Sequence, residues 1–287
     1  MSNPSAHGEL THAAIASRYK LPIAGTMILL TGENLISAIA PLFLGRAIDG
    51  LVAETYAPLW VFLALAMTGL AIAIGRRVYD TRVYARIYRE TAAETVEKEN
   101  SKDAAVTRIT ARANFVSEFV EFFEFYLPMA LTAFVGLIGS VVMLAFLSVP
   151  LAICAAAVGV MMGIVFFVSS PRIRKLNAML NDEMERQVDI LTARQKAGTQ
   201  HHFASIARWR IRLSDLEARN FGLVFFLTIA LTAGAAYILV VLEQKTVGEV
   251  FAALTYVLQF SDAVVMLPYT YQQFLRTREI STRLQES

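Results

Sequence analysis

RRVYDTRVYARIYRETAAETVEKENSKDAAVTRITARANFVSEFVEFFEFYL, residues 76–127, contains neither proline nor glycine. Charged and polar residues run through most of it, and nothing in it breaks a helix. Uncharged segments flank it, Ala57 to Gly75 before and Phe125 to Ser170 after. The arrangement returns further on: between Arg172 and Phe221 the only such residue is Gly198. Apolar segments therefore come in pairs joined by a few residues, and about fifty charged, helix-compatible residues separate one pair from the next. The pattern predicts helices that leave a bilayer, run on far beyond it and turn back at a distance.

Composition agrees. Of 287 residues 56% are hydrophobic and 17% charged, with a mean hydropathy of +0.50, which excludes an ordinary soluble protein. A membrane span needs about 20 apolar residues. At about 1.5 Å per residue, Phe125 to Ser170 covers near 70 Å, twice a bilayer core, so it must be two spans reversing at Ser148-Val149-Pro150. Phe221 to Leu242 is uncharged, Val250 to Leu275 carries only Asp262, and Leu21 to Gly45 is interrupted by Glu33 and Asn34. The expectation is an all-α membrane protein with six transmembrane helices and long cytoplasmic helical extensions. A polar N-terminal segment, 1–20, precedes one domain over 21–284. Its spans lie near 21–51, 57–76, 125–147, 150–170, 221–242 and 248–275, and its arms over 77–124 and 171–220.

All but two of the 26 basic residues, Arg46 and Lys245, lie in the long segments or near the termini. That bias places both arms and both termini in the cytoplasm and the short turns, near 52–56, 148–150 and 243–247, outside. The net charge of +2 is this inside bias, and no nucleic-acid partner is expected. The lone cysteine, Cys154, permits no disulfide within the chain. The first twenty residues hold no signal-peptide core, so the first span doubles as the insertion signal. The first arm pair should turn near Glu99-Asn100-Ser101-Lys102-Asp103, where capping and turn residues gather. The second should turn near Lys196-Ala197-Gly198-Thr199-Gln200, around its only glycine.

The pattern resembles the six-helix transmembrane domain of ABC exporters with long intracellular loops, over about Leu21 to Leu284. Pro41-Leu42-Phe43-Leu44-Gly45-Arg46-Ala47-Ile48-Asp49-Gly50 is similar to the run that closes the first helix in that family. Thr107-Arg108-Ile109 resembles its sequence after the first coupling helix. Lys245-Thr246-Val247-Gly248-Glu249-Val250 resembles the opening of its sixth helix, and Thr277 to Leu284 its polar close. The resemblance implies alternating access, a second six-helix domain as homo- or heterodimer partner, and a bacterial-type plasma (inner) membrane. The chain departs from the family in two ways. It carries no G-x-x-x-x-G-K-[ST] or other phosphate cradle, so no nucleotide-binding domain and no cofactor of its own are expected. ATP would sit on a separate ATP-binding subunit, or the fold would serve as a motorless scaffold, sensor or proton-driven carrier. Arg112 stands where the family often has an Asp after the first tip.

Carboxylates inside spans usually face a cavity or a partner. Glu33 with Asn34 in the first span, and Asp262 with Gln259 in the sixth, are candidates for a substrate or proton site, equally for inert interhelical bonds. Tyr256 would add aromatic lining, with Tyr269, Tyr271 and Gln272. Ser101, Lys102, Asp103, Lys196, Gln200 and Phe203 are the candidates for contact with an ATPase at the tips. Glu118, Glu121 and Glu124 form an acidic stripe that would attract a basic substrate or, more simply, pair with Arg82, Arg86 or Arg174. Arg46 and Asp49, at i, i+3, are expected to pair locally. His201-His202 is expected to be a solvated tip, and no metal or catalytic site is expected.

Overall fold

The computed structural model describes residues 16–101, 106–193 and 195–286. The described chain is helical throughout: α1 (Lys20–Val52), α2 (Ala57–Asn100), α3 (Val106–Glu121), a π-helical turn (Phe122–Tyr126), α4 (Leu127–Leu147), α5 (Val149–Glu185), α6 (Gln187–Thr192), α7 (Lys196–Tyr237) with a second π turn (Ile238–Leu242), and α8 (Val247–Glu286). Six helices are long and apolar enough to cross a membrane, with α3 and α4 forming one of them through the π turn. This is a multi-pass membrane protein.

Local chemistry explains the boundaries. Pro58 opens α2 in its first turn, where a missing N–H is harmless. After Gly75 nothing interrupts the helix until Asn100. Its 44 residues span about 66 Å at 1.5 Å per residue, twice a bilayer core. Ser148, in extended conformation, separates α4 from α5; its hydroxyl accepts from Leu151 N–H at 3.3 Å and donates to Glu243 at 2.7 Å, tying two short turns together. The other short turns pass through left-handed residues, Glu54 at φ 57° and Gln244 at φ 51°.

Apolar side chains cover the outside as well as the core. Phe146 and Phe167 are each at least 80% exposed, and Trp60, Leu70 and Ile74 line the open face of α2, as a lipid-facing surface requires. Burial falls into two clusters. One, toward the short turns, joins α4, α5, α7 and α8 through Leu144, Leu151, Met162, Leu231, Leu239 and Phe260. The other, toward the arms, joins Tyr19 and Ile23 to Tyr84 and Ile87 of α2 and Phe119 and Val120 of α3. Within the first arm pair, Arg112 reaches back to the buried Glu99 at 2.8 Å. The second arm pair, α5 with α7, packs along itself.

The second turn departs from the sequence expectation. It runs from Arg186 through α6 to an extended Gln195, ahead of Lys196–Gln200. Gly198 lies in the first turn of α7, where glycine is tolerated, and the break is made by non-glycine residues that carry no turn signature.

Candidate functional site

A cavity of about 530 Å³ opens between α1, α2, α4 and α8. α1 contributes Asn34 and Ser37, α2 contributes Arg76, Arg77 and Asp80, the π turn Glu124, α4 Thr132 and Ser140, and α8 Gln259 and Asp262. The π turn has a cause: Pro128 cannot donate to the carbonyl four residues back, so the ladder slips, and Leu127 N–H bonds Phe122 instead. That slip sits beside Glu124.

The sequence candidates divide here. Asn34, Gln259 and Asp262 come together on the cavity wall. Glu33 instead pairs with Arg76, whose other arm holds Asp80 at 2.9 Å. Tyr256 is not a lining residue. It is fully buried, its hydroxyl donates to Ala38 C=O at 2.9 Å and accepts from Leu42 N–H at 3.2 Å, and so it pins α8 to α1. Of the acidic stripe, Glu124 lines the cavity and Glu121 accepts from Tyr126 at 3.1 Å, while Arg86 pairs with Glu90 and Arg174 bonds Ser170. Arg76, Asp80, Thr132 and Ser140 were not singled out from sequence. For Arg76 and Asp80 the signal was available: they stand one turn apart where a charged segment meets a span.

At the short-turn end α1 and α8 cross with backbones in contact. A Cβ added to Gly248 would stand 1.9 Å from Gly45 O, and one on Gly45 2.3 Å from Gly248 O. Only paired small residues permit this approach. Asp49 does not pair with Arg46. Its carboxylate accepts from Gly248 N–H at 2.7 Å and from the Thr246 hydroxyl at 2.6 Å, while Arg46 lies over the Phe43 ring. The opening of α8 outcompetes Arg46 because it offers a backbone donor and a hydroxyl already fixed in place.

A family model for the ABC transporter transmembrane region matches residues 10–248. The chain belongs to that family. No curated protein matches it.

In this ABC transporter transmembrane region, the two motif runs that carried the resemblance, around Gly45–Asp49 and Thr246–Gly248, are the two halves of one lock between α1 and α8. Arg112, the departure, closes the first arm pair on Glu99. At the second tip, Lys196, Gln200 and Phe203 are exposed in the first turns of α7. Ser101 caps α2, its hydroxyl donating to Lys98 C=O at 2.8 Å. Lys102 and Asp103, and the side chains of Tyr269, Tyr271 and Gln272, lie outside the described residues. His202 is not solvated: it is buried, and its Nδ1 meets Glu183 at 2.8 Å across the arm pair, leaving only His201 exposed. The sequence reading passed over α6, whose Val188 is 71% exposed beside the exposed Leu191.

Proposed function

We propose that the chain is the membrane half of an ABC-type exporter in a plasma (inner) membrane, with arms and termini cytoplasmic, working as a dimer by alternating access. ATP is bound and hydrolysed on a separate subunit that grips the arm tips. The observation that carries this reading is the second tip. There α6 and the start of α7 set Val188, Leu191 and Phe203 in the open at the end of helices that run far beyond a bilayer core. Exposed apolar side chains on a charged arm call for a partner. Long unbroken helices would carry that partner's closure to the cavity as a rigid displacement. Dimerisation is supported by the second arm pair, whose described core contacts with the rest of the chain are concentrated toward the short turns.

The test is reconstitution with a cognate ATPase, sought as an ATPase that co-purifies with the chain. Val188→Asp with Phe203→Asp should abolish stimulated ATP turnover and leave insertion and thermal stability unchanged. Full coupling in that double variant would remove the tip assignment. Failure to find any co-purifying ATPase would favour the motorless carrier, for which the ionisable groups of the cavity are the supporting observation.

A further inference from the structure

The charge of the cavity points to a class of cargo, an inference that rests on the transporter reading above. Asp80, Glu124 and Asp262 line the cavity against Arg76 and Arg77. Arg76 is shared between Glu33 and Asp80. Among the described residues, Arg77 acts on Glu124 without an ion-pair contact and makes none with Asp262, which is exposed and lines the cavity. With Glu33 counted, four carboxylates face two guanidiniums. Of these, Glu33, Asp262 and Arg76 lie within the spans, and the one carboxylate in excess there is unfavourable until a cation comes to it.

Open hydrogen-bonding capacity is a second, separate observation. Ser140 is only 2% exposed and lines the cavity, yet its hydroxyl has no partner. It does not even bond the carbonyl one turn back, as Thr68 and Ser261 do. Asp80, 5% exposed, likewise has one carboxylate oxygen without a partner. Buried polar atoms are normally satisfied, and of the described ones without a protein partner these two belong to residues that line the cavity, where a water or a ligand's polar group can complete them.

The carboxylates also sit at different depths. Ala263 packs opposite Gly136, where an added Cβ would lie 3.6 Å from its own. Asp262 is therefore level with the middle of α4, roughly 18 Å by helical rise from Glu124. Between them the wall is largely apolar, with Phe125, Met129 and Met266.

We propose that this cavity binds an amphipathic organic cation. Its charged group rests against Asp262 with Gln259 beside it, its apolar body lies along Met129 and Met266, and Asp80 with Glu124 forms a negative mouth that draws it in.

The experiment uses the full chain in lipid nanodiscs without nucleotide, with empty nanodiscs subtracted. The probe is rhodamine 6G, a monocation, followed by fluorescence anisotropy, with tetraphenylphosphonium as competitor and anionic fluorescein as control. Saturable binding of rhodamine 6G, displaced by tetraphenylphosphonium and not shared by fluorescein, is expected. Asp262→Asn should weaken it about tenfold or more, while Asp262→Glu, which keeps the charge, should stay within about threefold. Glu124→Gln should chiefly slow association. Equal binding by wild type and Asp262→Asn, equal loss in both Asp262 variants, or equal binding of fluorescein would each overturn the proposal. Failure of the exporter reading is distinguishable. Cation binding that depends on Asp262 with no ATPase partner leaves this site standing, whereas ATP-driven transport indifferent to Asp262→Asn removes the site and keeps the exporter.

Discussion

Asp49 shows how much one side chain decides. Both of its carboxylate oxygens are taken up across the crossing of α1 and α8, one by a backbone N–H and one by a hydroxyl. Asp49→Ala leaves the buried Gly248 N–H without its acceptor, while the exposed Thr246 hydroxyl keeps Glu249 at 3.3 Å; it should lower stability by about 1–3 kcal/mol, read as thermal unfolding in detergent. Arg46→Ala should leave the unfolding temperature nearly unchanged, the reverse of what a local Arg46–Asp49 pair would give. Equal destabilisation by the two would restore that pair. Sequence spacing named the wrong partner because i, i+3 proximity is visible in one helix, while the competing donors arrive from residues some two hundred positions away.

At the scale of elements, α2 is the simplest to test. Val83→Pro removes a backbone hydrogen bond in the middle of the arm and clashes with the preceding turn, an effect of about 3 kcal/mol or more. A marked fall in detergent thermal stability is expected, and an unchanged melt would mean that the arm carries no helical load. The arm is also fastened to the segment before α1. Arg18 pairs with Glu94 at 2.5 Å, and Glu90 accepts from Arg86 and Tyr19. Hydrogen bonds from Arg18, and from Arg86 and Tyr19, hold the Glu94 and Glu90 carboxyls below their ordinary value of 4.5. A depressed carboxylate contributes stability that is fully present above its unfolded value and is lost as pH falls through the folded one. Arg18→Ala should therefore lower the melting temperature slightly at pH 7, and its difference from wild type should shrink as pH drops below 4.5. A difference that stays constant down to pH 3 would show that Arg18 acts by packing alone. The helices themselves were legible in the sequence, since hydropathy and the absence of proline and glycine are local signals. The second arm turn was not, because α6 bends away through residues with no turn chemistry. Nor was the π turn beside Glu124, although its cause, Pro128, was in view.

For the molecule as a whole, the bias of basic residues makes a topological prediction. Cysteines placed at Ala197, in the first turn of α7, and at Gln244, in the short turn before α8, are both exposed and should react with impermeant reagents from opposite sides of the membrane. The single native Cys154 is replaced first. Labelling of both from one side would dismantle the six-span arrangement. The cavity was half legible. Intramembrane Asn34, Gln259 and Asp262 announced themselves by polarity, while Tyr256 was misread because a tyrosine looks the same in sequence whether it lines a cavity or fastens two helices.

That fastening has a mechanical meaning. Pro41 withholds a donor from the carbonyl of Ser37, so α1 lacks one rung of its ladder. The next rung, between Ala38 and Leu42, has a hydroxyl of α8 spliced into it. α1 is thus most compliant just where another helix holds it, and Ser37, at the loosened step, faces the cavity. The pair is built like a gear tooth in a notch: a rotation of α8 would be passed to α1 at Pro41, and the cavity wall would turn with it.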